Sequence, residues 1–149
     1  MVDKIDSFKG EHRFLSNFWP CVVRYDGLVY PSVEHAYQAA KSNNRDTRLK
    51  IADLLTAAGA KKAGRRIPKH ELSPYWDGAK LGIMAQLVVQ KFTNNAVLAQ
   101  RLHDTGDAEL IEGNTWGDTF WGICKGKGEN HLGRILMEVR HSINTGRNQ

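Results

Sequence analysis

The chain has little cysteine and nothing arranged around it. Cys21 and Cys124 are its only two, far apart and in no CxxC pair. That excludes a disulfide framework and makes a reducing, cytoplasmic compartment the expectation. No apolar run reaches the roughly 18 residues a membrane span needs. The start, Met1-Val2-Asp3-Lys4, opens into charge rather than the apolar core of a signal peptide. The histidines His12, His35, His70, His103, His131 and His141 form no HExxH or similar spacing, so no metal is expected. The glycine-rich stretch around Gly126-Lys127-Gly128 has neither the Walker A nor the dinucleotide spacing, and no cofactor is expected. Repeats, low-complexity tracts and Pro/Gly/Ser linkers are missing too. Residues 1–149 therefore read as a single domain.

What is present is an ordinary globular composition, 41% hydrophobic and 25% charged, with a basic excess of 21 Lys and Arg over 16 Asp and Glu. A net charge of +5 favours an anionic partner, because the summed field concentrates phosphates at the surface. The basic residues gather at Lys61-Lys62-Ala63-Gly64-Arg65-Arg66, read as a solvated surface, and at Lys125-Gly126-Lys127.

The spacing predicts an α+β fold, mostly helical with a small antiparallel hairpin. Cys21–Tyr25 and Leu28–Tyr30 flank Asp26-Gly27, a pair suited to two positive-φ turn positions. Ser32 is a good N-cap for a helix through about Asn43. Asp46 is expected to cap a second helix that buries Leu49, Ile51 or Ala52, and Leu55, and Thr56 a third that ends at Gly64. Pro68 and Pro74 exclude a regular helix between Ile67 and Trp76. Leu81, Met84, Val88 and Phe92 fall at helical spacing, and Asn95 caps a helix that Gly106 ends. A short strand is expected at Leu110-Ile111, then a long ordered loop over 113–128, then a helix from about Asn130 burying Leu132, Ile135, Leu136, Val139 and Ile143.

Several stretches can carry chemistry, each with a plainer alternative. Glu34, Gln38 and Lys41 share one helix face, and two turns, about 10 Å, separate the first from the last, enough for a sugar to span. The alternative is a solvated polar face. Asn114-Thr115-Trp116-Gly117-Asp118-Thr119-Phe120-Trp121-Gly122 sets aromatic faces among glycines beside one carboxylate. Such a group can stack on a base and steady an oxocarbenium-like charge, or it can tuck its rings under the domain as a small satellite core. Gly126 to Gly133 leads into the last helix, whose N-terminal amides with Lys125 and Lys127 suggest a phosphate cradle or a plain cap. The aromatic run Phe8 to Pro20 reads as an extended segment anchoring its rings, and Cys21 as a small buried hydrophobe.

Together these pieces resemble the NADAR family, the YbiA-like N-glycosidases. The matching residues are Phe14-Leu15-Ser16-Asn17-Phe18, Tyr30 to Lys41 with Glu34-His35 and Tyr37-Gln38, the Trp76 segment and Lys91-Phe92. Leu110-Ile111-Glu112, Asp118, Trp121-Gly122 and Gly126 to Arg140 with Asn130 continue the match, in order, over nearly the whole chain. After Trp121-Gly122 the family tends toward further glycines, whereas this chain has Ile123-Cys124-Lys125. The resemblance implies hydrolysis of an N-ribosidic bond, in ADP-ribose attached to guanine in DNA or in phosphoribosylamino-pyrimidine intermediates of riboflavin synthesis. It implies Glu34 and Asp118 as catalytic carboxylates and Lys41 as a covalent participant. Ser16, Asn17, Phe18, Tyr37, Trp76, Trp121, Gly122, Gly126 and Asn130 are then expected around the substrate. Glu34 and Asp118 are expected on opposite sides of one cleft. Two other readings remain open at this point: a non-catalytic module that binds ADP-ribose or nucleotides, and a nucleic-acid-binding domain using its basic patches.

Overall fold

A computed structural model describes residues 3–147; Met1, Val2, Asn148 and Gln149, the ends of the expected domain, lie outside the described residues. In chain order the elements are β1 (Lys4–Ile5), a 3-10 segment (Gly10–Leu15), β2 (Pro20–Tyr25), β3 (Leu28–Ser32), α1 (Val33–Ala40), α2 (Arg45–Ala52) and α3 (Ala57–Arg65). A 3-10 turn (Lys69–Glu71) precedes α4 (Trp76–Thr93) and α5 (Ala96–His103), and β4 (Glu109–Leu110), β5 (Gly113–Asn114), β6 (Ile123–Cys124) and α6 (His131–Arg147) follow. The fold is α+β, as expected. No described helix is long and apolar enough to cross a membrane. Contacts group the chain into two compact units, Asn17–Lys91 and the remainder on either side of it.

In the unit Asn17–Lys91, the hairpin pairs β2 and β3 antiparallel around Asp26 (φ 48°) and Gly27 (φ 81°), the positive-φ pair of a type I′ turn. Arg48 of α2 closes onto the turn with a 2.7 Å ion pair to Asp26 and stacks 5.4 Å from the Tyr25 ring. Ser32 caps α1 by accepting from the His35 N–H at 3.0 Å. Helix α1 packs against β2, β3, α2 and α3 and is buried on all sides. It stops at Ala40, short of the expected Asn43, because the chain beyond turns to pair with the segment at 71–73: Asn43 N–H donates to Glu71 O at 2.7 Å and Ser73 N–H to Lys41 O at 2.9 Å.

Other boundaries shift for local reasons. Asn44, not Asp46, caps α2, its Oδ1 accepting from the Asp46 and Thr47 amides. Of the expected core residues of α2 only Ile51 is buried; Leu49 is 41% and Leu55 99% exposed. Thr56 caps α3 as expected, accepting from the Gly59 amide. Helix α4 begins at Trp76, just past Pro74, and buries Met84, Leu87, Val88 and Phe92, with Leu81 near its exposed margin.

In the other unit, Asn95 caps α5 through the Leu98 amide, and β4 pairs with β1 in parallel, Ile5 opposite Leu110. Helix α6 buries Leu132, Ile135, Leu136 and Val139. The expected loop over 113–128 holds its own two-residue parallel pair, β5 with β6. The strand expected at Leu110-Ile111 lies one residue earlier, at Glu109–Leu110, but neither parallel pairing is legible in the sequence, since two-residue strands carry no periodicity that shows a partner.

Candidate active site

The polar face of α1 is buried rather than solvated. Glu34 is 7% and Gln38 6% exposed, which excludes the solvated-face reading for both. Burying a carboxyl and an amide is costly unless partners are supplied, and the helix supplies one internally: Gln38 Nε2 donates to Glu34 Oε1 at 2.8 Å, one turn apart. The Glu34 amide donates to Asn17 O at 3.1 Å, so the start of α1 is tied to the Asn17 segment, and Asn17 Nδ2 reaches Met84 Sδ at 3.5 Å. Gln38 Oε1 has no hydrogen-bond partner although it is buried. It faces α3 at Gly64, where any Cβ would collide with it. Only glycine allows α3 this close to the amide.

Lys41 stands at the open end of this face, half-buried as the C-cap of α1. Its ammonium lies 5.3 Å from the Tyr37 ring centre, and that ring packs 5.1 Å from Trp76 at 55°. Burial pushes the Lys41 amine below its ordinary pKa; Glu34 opposes the shift, while Lys80, Arg65 and Lys61 reinforce it. Lys61 also sits 6.0 Å from the Phe18 ring. This unit therefore sets Glu34, Tyr37 and Trp76 near a desolvated Lys41 amine, with Asn17 bonded to the start of α1 and Phe18 beside Lys61. A desolvated, cation-crowded lysine has a larger neutral fraction and is the better nucleophile for it.

The tryptophan loop, in the other unit, is built differently. Asp118 Oδ1 accepts from the amides of Phe120 (3.1 Å) and Trp121 (2.9 Å), and its own amide donates to Asn114 Oδ1 at 3.0 Å. One carboxylate oxygen thus holds the loop, and Oδ2 has no partner among the described residues. Trp121 is half-buried and meets Phe120 edge-on at 4.8 Å, with His131 stacked 4.6 Å from Phe120. Gly122 has no room for a side chain, its Cα facing the Glu112 carbonyl and carboxylate. Ser16 ends the first 3-10 segment, its amide bonded to Arg13 O at 3.0 Å.

The phosphate cradle expected at the start of α6 is corrected by its hydrogen bonds. The amides of Glu129, Asn130, His131 and Leu132 donate to the carbonyls of Thr119, Gly122, Phe120 and Trp121, at 2.8 to 3.3 Å. Amides already bonded to carbonyls are not available to a phosphate. Gly126 lies in an exposed turn with Lys125, flanked by reciprocal Cys124–Lys127 backbone bonds. The Asn130 amide is likewise engaged at both ends, Oδ1 accepting from Glu112 N–H at 3.0 Å and Nδ2 donating to Leu110 O at 2.9 Å.

The environments of two residues differ from what the sequence implies. Lys91 is 2% exposed, and burial lowers its pKa to about 7. Its place beside Leu87 and Val88 on the apolar stripe of α4 was the available signal. Cys21, expected as a buried hydrophobe, is half-buried, and its thiol is raised by burial with Lys91 opposing. His35 is buried and structural: it accepts at Nδ1 from the Ser32 hydroxyl (2.6 Å) and donates from Nε2 to Leu54 O (2.9 Å). Burial depresses its pKa, in keeping with a neutral ring.

Known proteins share this arrangement of sequence and fold. The NADAR domain model matches residues 6–144. An N-glycosidase of Nostoc punctiforme is 37% identical over 131 residues, 86% of this chain and 83% of the relative. The N-glycosidase YbiA of Escherichia coli is 35% identical over 149 residues, 96% of this chain and 91% of the relative. A riboflavin biosynthesis protein of Vibrio vulnificus is 38% identical over 133 residues, 89% of this chain but only 36% of that longer protein. The NMR structure of the E. coli protein YbiA superimposes with a TM-score of 0.84 at 30% identity, covering 100% of this chain and 90% of that one. The chain belongs to the NADAR domain family.

Proposed function

We propose that this chain acts as one N-glycosidase domain, cleaving the bond between C1 of a phosphorylated ribose and a base amine, with ADP-ribose on guanine in DNA as its substrate. The observation that carries this reading is the half-buried Lys41 amine, lowered by burial and by Lys80, Arg65 and Lys61, on the same helix face as Glu34. The neutral amine attacks C1, and the C1–N bond to the base breaks as the Glu34 carboxyl gives its proton to the leaving amine. The Glu34 carboxylate then takes back a proton from the new Lys41 ammonium. Ring opening, with a proton to the ring oxygen, leaves a Schiff base between C1 and Nζ. Water adds to C1, the C1–Nζ bond breaks, and the free sugar and Lys41 are regenerated. Asp118 is assigned to steady positive charge on the sugar, and Tyr37, Trp76 and Trp121 to stack on base or ribose. Ser16, Asn17, Phe18, Gly122 and Asn130 are assigned to shaping the binding site, and the exposed turn at Gly126 is left out of it.

The net charge of +5 supports a DNA-linked substrate. A second substrate, a phosphoribosylamino-pyrimidine, is supported by the 38% identity to a relative named for riboflavin biosynthesis. Incubating the protein with each substrate separately and measuring released sugar decides between them. Borohydride added during turnover should trap a sugar on Lys41. Binding of either substrate with no release from either would overturn the hydrolase reading in favour of a binding module.

A further inference from the structure

Helix α3 divides its basic cluster between two faces. Lys61 and Arg65 act on Lys41, and Gly64 between them packs on Gln38. One position along, Lys62 and Arg66 border a separate cavity of about 450 Å³, which Lys50 of α2 also lines. Its apolar wall is formed by Ile51, Leu54, Ala63 and Ile67, of which Ile51 and Ile67 are only 2% and 9% exposed. Glu71 contributes the one carboxylate, and its Oε1 already accepts from the hydroxyls of Thr47 (2.6 Å) and Ser42 (3.0 Å). Among the described residues, neither Lys62 nor Arg66 has an ion pair or a side-chain hydrogen bond. A merely solvated charge run has no reason to converge, from two helices, on the mouth of an aliphatic cavity.

We propose that this cavity is a second anion site, one that takes a nucleoside phosphate. The apolar wall receives the base or ribose, and Lys50, Lys62 and Arg66 hold the phosphate, with Arg66 offering the planar fork suited to two phosphate oxygens. The volume lies in the usual range for small-molecule sites. The cations outnumber the single carboxylate, so the mouth stays positive. The ligand is a free nucleotide or a nucleotide within a strand, since both present the same chemistry. The inference does not depend on the role given to Lys41.

The test is an amide-resonance titration of the intact, isotopically labelled protein with AMP, with inorganic phosphate and with a short single-stranded oligonucleotide. AMP should shift the amides of Ile51, Gly59 and Ala63 saturably, and phosphate alone should bind more weakly by about tenfold or more, for want of the apolar contact. Lys62→Gln with Arg66→Gln should weaken AMP by about tenfold or more by removing charge-assisted bonds. Ala63→Met should block the cavity while leaving every charge in place. The dispersion of the remaining resonances reports whether each variant is folded. If the oligonucleotide shifts the same amides, the ligand is a nucleotide within a strand; if only AMP does, it is a free nucleotide. AMP shifts confined to the Glu34 and Lys41 amides, or AMP binding unchanged in both variants, would overturn the proposal.

Discussion

The face of α1 and the tryptophan loop both bring polar side chains and aromatic rings together, but they spend those groups differently. Around α1, Glu34 and Gln38 are buried, Gln38 Oε1 is left without a partner, and Lys41 is crowded by other cations. In the loop, Asp118 Oδ1, Asn114, Asn130 and the amides at 129–132 are all committed to backbone partners. The first region holds chemistry in reserve at a cost in stability; the second spends its polar groups on a fixed shape. Residue types that look equally functional in a sequence thus separate once their hydrogen bonds are counted.

The largest effect that can break this contrast is Lys41→Ala. Turnover should fall by at least about 10³-fold with the melting temperature nearly unchanged, since a half-exposed helix-end lysine costs little to remove. An active Lys41→Arg protein that gives no borohydride adduct would remove the nucleophile from α1. Next is Lys91→Met. A lysine with a folded pKa near 7 against 10.5 unfolded penalises folding fully below pH 7, and the penalty is relieved as pH rises toward 10.5. The wild type should therefore gain stability across that window, and the Met variant should gain less there and be more stable at pH 7 by roughly 2–5 kcal/mol. Urea melts at several pH values measure both.

Asp118 sharpens the comparison from the other side. Asp118→Ala strands two amides and should cost about 1–3 kcal/mol of stability. Asp118→Asn keeps an acceptor and should melt like the wild type, so any loss of rate of about 10²-fold or more in it reports the charge alone. Equal rates in Asp118→Asn and wild type would leave Asp118 a purely structural residue. Trp121→Ala should weaken substrate binding by about 1–3 kcal/mol if the ring stacks on a base, with Phe recovering part of the loss. Unfolding without a binding defect would return the ring to the satellite-core reading. The smallest effect concerns pH. Turnover should rise as Lys41 loses its proton, and Lys80→Met, by removing a cation that favours the neutral amine, should move that limb upward.

Much of the framework was legible because its signals are local. Ser32, Thr56 and Asn95 cap the helices they were expected to cap, and Asp26-Gly27 makes the expected turn. The grouping of Glu34, Gln38 and Lys41 followed from helical period alone. Their depth did not, because burial of α1 is decided by α2, α3 and the hairpin packing on it. Leu55 reads as core by type yet stands 99% exposed, since α2 ends at Ala52 and carries it past the packed face. The supposed phosphate cradle failed for a similar reason: its amides are taken by carbonyls about ten residues upstream, a pairing no local motif announces.

That upstream pairing makes the two ends of the tryptophan loop unequal as places to insert foreign sequence. The carbonyls at 119–122 are bonded to the start of α6, so one added residue there would put every following donor out of step. The tip at Lys125-Gly126 (φ 52° and 76°) is exposed, and the Cys124–Lys127 backbone bonds close it. A short peptide tag or a fluorophore-bearing segment grafted between Lys125 and Gly126 should leave the Asp118 and Asn130 bonds standing, which makes the tip the natural handle for labelling this protein.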